Sequence, residues 1–491
     1  MTATNEFGSE TRLLIDGVLV DAADGARYDN INPATEEVIG EAADAGTADM
    51  DRAIAAARRA FDETGWSTDH QLRKRCLLQL HEAIVAEQEL FRHELVAEVG
   101  APIMTTYMAQ LDGPLEEALT WPAETIDTFE WERKIPDGNS FGVPSWRRVL
   151  KEPAGVVGAI VPWNYPFEIT VGKLGQILAT GNTTVLKPAP DTPWSATRIG
   201  RLIAEQTDIP AGVVNIVSSS QHGLGEQLVT DPRVDLISFT GSTATGQRIM
   251  AAGAPTMKRL FLELGGKSAD ILLDDADVEL KMAFIGFMCM HAGQGCAMLT
   301  RTLVHESRYD EAVELAKVSM EAVTYGDPTD PGNIQGPQVN AVQRERVLGY
   351  IEAGKAEGAR LVVGGGRPAH LPKGYYVEPT LFADVDNSMT IAQEEIFGPV
   401  LVMIPFKDDD DAVRIANDSK YGLSGGVTSA SEDRAVAVAK RIRAGTVSVN
   451  GGVYYGAVSP FGGYKASGIG RQNGLEGFEQ YLETKAIAGG L

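Results

Sequence analysis

Cysteine is scarce in this 491-residue chain, which carries only Cys76, Cys289 and Cys296. Three scattered thiols cannot staple a disulfide scaffold, none belongs to a C-x-x-C pair, and no His/Cys cluster has zinc spacing. A reducing compartment and no metal are therefore expected. Basic residues are also short: 43 Lys and Arg against 67 Asp and Glu leave a formal charge of -24. Such a surface repels phosphate backbones and anionic headgroups, so neither nucleic acid nor a membrane is expected as a partner. Long apolar runs are missing, and stretches such as Gly155 to Val161 fall far short of a bilayer span. The polar segment from Met1 to Glu10 lacks the apolar core of a secretory signal. Together these absences point to a cytoplasmic protein. Low-complexity tracts and repeats of solenoid period are absent as well.

What is present reads as an ordinary globular enzyme-sized chain. At 491 residues it exceeds one simple core, so two or three domains are expected. Residues 47–100 read as helices: Asp51 to Phe61 is alanine-rich, and Leu72, Leu77, Leu80, Ile84, Leu90 and Leu95 follow at roughly helical spacing. Cys76 lies in this stretch and reads as a small packing residue. From residue 150 onward, short β-branched runs at Val156 to Val161, Thr183 to Leu186, Val213 to Val217 and Leu236 to Phe239 alternate with helical patterns. That alternation predicts parallel βαβ units and a doubly wound sheet. A second alternating region begins near 270 and predicts a second α/β domain. Residues 128–146 fit neither. They mix aromatics with charges around Pro136-Asp137-Gly138, which suggests a hairpin turning there. An isolated hairpin is marginal in water, so it needs a surface to pack on, such as another subunit. The last fifteen residues are a second candidate arm.

Four places could carry chemistry. Cys296 follows Gly293-Gln294-Gly295, whose glycines let backbone N–H groups approach a ligand. A nucleophilic thiol needs a positive or dipolar setting to ionise at neutral pH, whereas a cysteine in such a stretch can equally be packing. Nearby His291 reads better as a satisfied structural histidine than as half of a dyad. Glu263 ends the apolar run Leu260-Phe261-Leu262 and enters Leu264-Gly265-Gly266. Partial desolvation there would raise its pKa and suit a general base toward water; a solvated or Lys267-paired carboxylate is the alternative. The turn Gly241-Ser242-Thr243-Ala244-Thr245-Gly246 joins a strand to a helix, a geometry that presents N–H groups to a pyrophosphate. Asn164, in Pro162-Trp163-Asn164-Tyr165-Pro166, could donate to an oxyanion.

In this order, and over almost the whole chain, these pieces resemble the aldehyde dehydrogenase superfamily. The matching motifs are Pro162-Trp163-Asn164, Lys187-Pro188-Ala189, Phe239-Thr240-Gly241-Ser242, and Glu263-Leu264-Gly265-Gly266-Lys267-Ser268. They continue with Gly293-Gln294-Gly295-Cys296, Glu394-Glu395-Ile396-Phe397-Gly398-Pro399, and Pro460-Phe461-Gly462-Gly463-Tyr464-Lys465 with Ser467-Gly468. The resemblance implies an α/β fold with a Rossmann-type cofactor domain (1–127 and 147–264), an α/β catalytic domain (265–464), and a β oligomerisation arm (128–146 and 465–491). It implies a homo-oligomer, tetramer or dimer. The implied activity is NAD-dependent oxidation of an aldehyde to its acid. Cys296 would attack the carbonyl carbon, Asn164 and the Cys296 N–H would hold the oxyanion, and Glu263 would activate the hydrolytic water with Lys173 nearby.

For the cofactor, the family pattern assigns Lys187 to the adenosine ribose, Ser242 to the pyrophosphate, and Glu395 and Phe397 to the nicotinamide end; Trp163, Gly241 and Leu264 complete the set. Two departures bear on this. Pro190 stands where NAD-preferring relatives place a glutamate, which leaves NADP possible. Gln472 stands where a glutamate is common and cannot relay a proton. Proton exit from Glu263 would then use Lys173 or water, and Gln472→Glu would speed deacylation. The implied substrate tunnel comprises Tyr165, Ile169, Gly172, Gly295, Ala297, Tyr455 and Phe461. None is charged, and Gly172 replaces a bulky aromatic, so medium-chain, aromatic or terpenoid aldehydes are expected over acetaldehyde. Two rivals are a CoA-acylating dehydrogenase, against which Glu263 argues, and a catalytically silent scaffold, against which Cys296 argues.

Overall fold

In the computed structural model, which describes residues 8–491, the β-branched runs become the buried centre of two sheets. Met1 to Phe7, and with them most of the polar N-terminus, lie outside the described residues. The first sheet has eight strands. At its centre, Val214–Ile216, Thr183–Lys187, Val156–Ile160, Leu236–Thr240 and Arg259–Glu263 lie side by side and parallel. Four of these five strands are buried almost throughout, which explains why they read as continuous apolar runs rather than alternating ones. Antiparallel edges close the sheet: Leu13–Ile15 with Val18–Val20 on one side, and Gly468–Ile469 against Leu262 and Glu263 on the other.

Helices cover both faces. Thr47–Glu63 contributes Met50, Ala53, Ile54 and Ala57 to one core; His70–Ala86, Pro166–Ala179 and Trp194–Gln206 pack into the other. Cys76 is fully buried there, as a packing residue should be. The chain order reverses around Val156–Ile160, whose two neighbours are Thr183–Lys187 and Leu236–Thr240. Ligands of open α/β sheets bind at such a reversal, beyond the carboxyl ends of the strands. Beyond those ends lie Trp163-Asn164 and Gly241-Ser242.

The second sheet has seven strands in the order 360–363, 380–383, 400–406, 301–305, 269–272, 424–428, 446–449. All neighbours are parallel except the first pair. Separate apolar clusters fill its two faces. The predicted α/β architecture is what the chain adopts.

The hairpin forms, but it does not turn at Pro136-Asp137-Gly138. Its strands are Glu132–Ser140 and Val143–Pro153, and the turn is Phe141-Gly142, both with positive φ (57° and 76°). Two successive left-handed residues match the twist of a tight hairpin. Pro136 and Asp137 instead sit at a register shift between Ile135 and Gly138, as suits a proline that has no N–H for the ladder. Leu482–Gly490 adds a third, antiparallel strand along Val143–Pro153. Residues 465–481, grouped with the arm on sequence, run along the first sheet through Gly468–Ile469 and the helix Gly474–Glu479, because Gly468 pairs directly with Glu263. Among the described residues, no helix is long and apolar enough to cross a membrane.

Candidate active site

A cavity of about 490 Å³ opens between the two sheets, and Glu263 and Cys296 both line it. Glu263 is the last residue of Arg259–Glu263, where the strand leaves the sheet. Cys296 arrives on an irregular loop. His291, Ala292 and Gly293 all have positive φ (52°, 55° and 68°), a run that swings the thiol toward the carboxylate. Only glycine fits at 293, since a Cβ there would stand 2.2 Å from the Gly398 carbonyl oxygen. Gly266 is required for a different reason: its Cβ would lie 2.5 Å from the Cys296 carbonyl oxygen, so the two loops could not approach. The result is that the Glu263 carboxyl and the Cys296 thiol line one cavity close enough to shift each other's pKa.

The third wall is the first half of Pro166–Ala179. Its side chains at Ile169 and Gly172 face the cavity together with Tyr165, just ahead of the helix. Glu168 faces it too, which the sequence reading missed although the same i, i+3, i+4, i+7 spacing from Tyr165 contains it. The remaining expected tunnel residues, Gly295, Ala297, Tyr455 and Phe461, also line the cavity. Tyr454 joins them, with its ring stacked on Phe461 at 6.4 Å and Tyr455 tilted against Phe461 at 5.1 Å.

Asn164 is held from several directions. Its backbone carbonyl accepts from Gln110 Nε2 and pairs with His291 Nε2, both at 2.9 Å, and its Nδ2 donates to the Gln294 carbonyl at 2.9 Å. A side-chain amide carries two N–H donors, so one remains for the cavity. Burial pushes His291 down to about 4, leaving a neutral ring that braces Asn164. Its role is structural, as the sequence suggested, but it is only half satisfied: Nε2 meets the Asn164 carbonyl while the buried Nδ1 has no partner. Gln110, distant in sequence, gave no signal.

The electrostatics differ from expectation. A reactive thiol was expected among positive or dipolar groups, yet burial, then the charges of Glu263, Glu395 and Glu168, push Cys296 well above the usual thiol range. Burial raises Glu263 to about 7, opposed by its bond from Cys296 and by the Lys173 charge; its Oε1 has no partner. Glu168 rises to about 8 through burial and the Glu263 charge. Lys173 falls to about 7, again mainly by burial, while its Nζ donates to Ser238 Oγ at 2.9 Å and lies 4.6 Å from the Phe261 ring centre. Ser238 Oγ is in turn 2.9 Å from the Tyr481 hydroxyl. Gln472 points its Nε2 at the Gly172 carbonyl, 2.9 Å away, and at Gln176 Oε1 at 3.4 Å. The other two thiols are inert by comparison: burial lifts Cys76 to about 11 and Cys289 to about 12.

The residues expected to hold a dinucleotide surround the sheet's reversal point. Ser242 caps the helix Thr243–Gly253, its side chain accepting from Thr245 N–H, and Gly241 precedes it. Lys187 ends its strand with Nζ donating to the Ser219 carbonyl at 3.3 Å. Asp44, unmarked in the sequence, is the carboxylate whose charge acts on Lys187; it accepts from Ser219 and Ser220. Asp191 turns away and accepts from Asn340 at 2.9 Å. Leu264 packs under the helix, where it fills the space beside Gly246. Glu395 Oε1 accepts from the Gly266 N–H at 2.9 Å, and Phe397 meets Trp163 edge-on at 5.3 Å.

Comparison with known proteins agrees with this geometry. The model of the aldehyde dehydrogenase family matches residues 19–487. The chain is 42% identical over 479 residues to a 3-succinoylsemialdehyde-pyridine dehydrogenase of a Pseudomonas species, covering 97% of this chain and 98% of that one. It is 41% identical to an aldehyde dehydrogenase of Mycobacterium tuberculosis solved with NAD+, at a TM-score of 0.92 and coverage of 97% and 98%. Aldehyde dehydrogenase C of Pseudomonas syringae, solved as a mutant with NAD+ and octanal, is 38% identical at a TM-score of 0.92, covering 98% of this chain and 96% of that one.

Proposed function

The chain belongs to the aldehyde dehydrogenase family, and from that premise we propose that it oxidises apolar aldehydes to acids with NAD+ through a Cys296 thioester. The observation that carries the reading is that Glu263 and Cys296 line one cavity, walled mainly by apolar and aromatic side chains, and shift each other's pKa.

The dinucleotide fits this chain's residues. The helix Thr243–Gly253 offers its amino end and the Ser242 hydroxyl at the sheet reversal, where a pyrophosphate is best received. Glu395 is anchored by Gly266 N–H for a ribose, and Trp163 and Phe397 flank the nicotinamide end. When bound, the oxidised nicotinamide supplies a hydride acceptor and a positive charge beside the thiol. Asp44 supports NAD over NADP: Pro190 removes one carboxylate from the ribose end, but Asp44 keeps another acting on Lys187, where a 2′-phosphate would be repelled.

In the reaction, Cys296 gives its proton to the neighbouring Glu263, and the sulfur adds to the aldehyde carbon. The free Asn164 N–H and the Cys296 N–H receive the developing oxyanion, an interaction whose loss typically costs about 3 kcal/mol. Once the carbon is oxidised, a thioester joins it to Cys296. Glu263 takes a proton from water as the water oxygen adds, the C–S bond breaks, and the acid leaves. Lys173 acts on Glu263 through its charge, and Glu168, whose carboxyl the Glu263 charge raises, lines the same cavity; both offer the Glu263 proton a way out that Gln472 cannot.

Gly172 supports a wide tunnel: a Cβ there would meet only Gln472 Nε2, at 3.6 Å. The octanal-bound neighbour and the pyridine-bearing substrate in the relative's name are both in keeping with long or aromatic aldehydes. The sheet of Glu132–Ser140, Val143–Pro153 and Leu482–Gly490 supports an assembly role, because Phe141, Val143 and Leu491 are strongly exposed. We assign it to contacts in a dimer or tetramer. The cofactor domain would comprise residues to 127 and 154–264 and the catalytic domain 265–464. A panel of octanal, benzaldehyde, acetaldehyde and succinate semialdehyde with NAD+ or NADP+ tests the reading. NADH formation with a kcat/KM favouring octanal or benzaldehyde is expected. Equal constants for acetaldehyde and octanal would overturn the substrate class, and a preference for NADP+ would overturn the role given to Asp44.

A further inference from the structure

Away from the catalytic thiol, the protein buries two basic side chains that no carboxylate neutralises by contact, and burial together with the Arg301 charge lowers Lys267 to about 7. Lys267 is 2% exposed and its Nζ has no hydrogen-bond partner. Arg301, 1% exposed, opens the central strand of the second sheet, in register with Ala269. Its terminal nitrogens reach only neutral oxygens: Asn387 Oδ1 at 2.7 Å, and the Ile415 and Ala416 carbonyls at 3.0 and 2.9 Å. Those two carbonyls end the helix Asp409–Asn417 and offset part of the charge. The Arg301 Nε remains without a partner.

Carboxylates act on the pair only through space. Glu394 is ion-paired to Lys420, Glu395 is bonded to Gly266, and Asp418 takes an N–H from Asn387. A guanidinium cannot shed its proton in a protein, and a buried charge ordinarily sits with a counter-charge.

Both line one small cavity of about 10 Å³ together with a third basic residue, Arg443, and with Ser268, Tyr421 and Ser424; none of its lining residues is acidic. A single water needs roughly 10–15 Å³, so a chloride ion, which is somewhat larger, requires the lining side chains to yield slightly. A carboxylate or phosphate ion is too large. Water could accept from both donors, but it would leave two like charges side by side.

We propose that this cavity between Lys267 and Arg301 is a binding site for one monatomic anion, chloride in kind, received by the Lys267 Nζ and Arg301 Nε donors. The anion would offset the repulsion between the two cations and hold Lys267 in its charged form. Lys267 directly follows Gly266, whose N–H holds Glu395, so occupancy would be felt at the cofactor end of the active site.

Two measurements on the full-length protein test this. Crystals soaked in sodium bromide should show an anomalous difference peak between Lys267 Nζ and Arg301 Nε. Thermal unfolding in sodium chloride should lie roughly 1–3 °C above unfolding in sodium gluconate of equal ionic strength, a difference that Lys267→Met should abolish. Should that variant fail to fold, the bromide map of the unaltered protein decides by itself. No anomalous peak at high bromide, or the same midpoint in both salts, would overturn the proposal in favour of a buried water.

Discussion

Glu263 should make thioester hydrolysis strongly pH-dependent in a range where an ordinary glutamate is silent. Burial holds its carboxyl near 7 rather than 4.5. The ionised fraction then climbs from about 9% at pH 6 to about 91% at pH 8, so hydrolysis should speed up about tenfold across that interval. An unperturbed carboxyl would be about 97% ionised at pH 6, giving a nearly flat profile. The cleanest assay avoids the cofactor. A 4-nitrophenyl ester acylates Cys296 directly, and the steady rate after the nitrophenolate burst reports hydrolysis of the acyl-enzyme. Glu263→Gln should lower that rate by roughly 10²–10⁴ and remove the pH dependence. Lys173→Met removes a charge that holds the Glu263 carboxyl down, so the midpoint should move to higher pH and the rate at pH 7 should fall. The sign of the linked stability follows from the same shift. A carboxyl raised by folding binds its proton more tightly in the native state, so the protein loses stability as pH rises from about 4.5 to 7. Glu263→Gln should therefore be the more stable form at pH 8, by up to about 3 kcal/mol in urea unfolding. A flat hydrolysis profile between pH 6 and 8 with a normal burst would refute the reasoning.

Gly172→Phe places a ring in the tunnel at a position with room for its Cβ; kcat/KM for octanal should fall about 10–200-fold while acetaldehyde changes little, measured by NADH formation. Glu168→Gln removes one of the charges that raise the Cys296 pKa, so iodoacetamide should alkylate the thiol faster at pH 8 and its titration midpoint should fall. Gln472→Glu should slow acyl-enzyme hydrolysis, against the expectation from sequence. Its carboxylate would face the Gly172 carbonyl and Gln176 Oε1, where the amide now donates. Deleting residues 482–491 exposes the edge of Val143–Pro153, and light scattering should show a smaller assembly than the intact chain.

Much of this was legible one segment at a time. The strands at 156–160, 183–187 and 236–240 announced themselves because buried parallel strands need uninterrupted apolar runs. The glycines at 266 and 293 were visible as motif letters, and the clashes a Cβ would meet supply their reason. The hairpin turn was misplaced because Pro136-Asp137-Gly138 carries strong local turn chemistry, while Phe141-Gly142 is set by the pairing of two strands. Glu168 was hidden in plain helical periodicity. Gln110 and Asp44 could not be found at all, since they meet their partners Asn164 and Ser219 across 54 and 175 residues respectively.

Sequence alone determined the covalent repertoire: one thiol behind glycines, one carboxylate at a predicted strand end, and the order of motifs around them. Residue types and local spacing carry that information, because nucleophile, base and turn are properties of a few neighbouring positions. Only the tertiary structure decided the charge states. It surrounded Cys296 with carboxylates instead of cations, raised Glu263 and Glu168, lowered Lys173, and left Lys267 and Arg301 facing one small cavity. Desolvation and Coulomb interaction depend on what surrounds a group in three dimensions, and no reading of neighbours along the chain contains that.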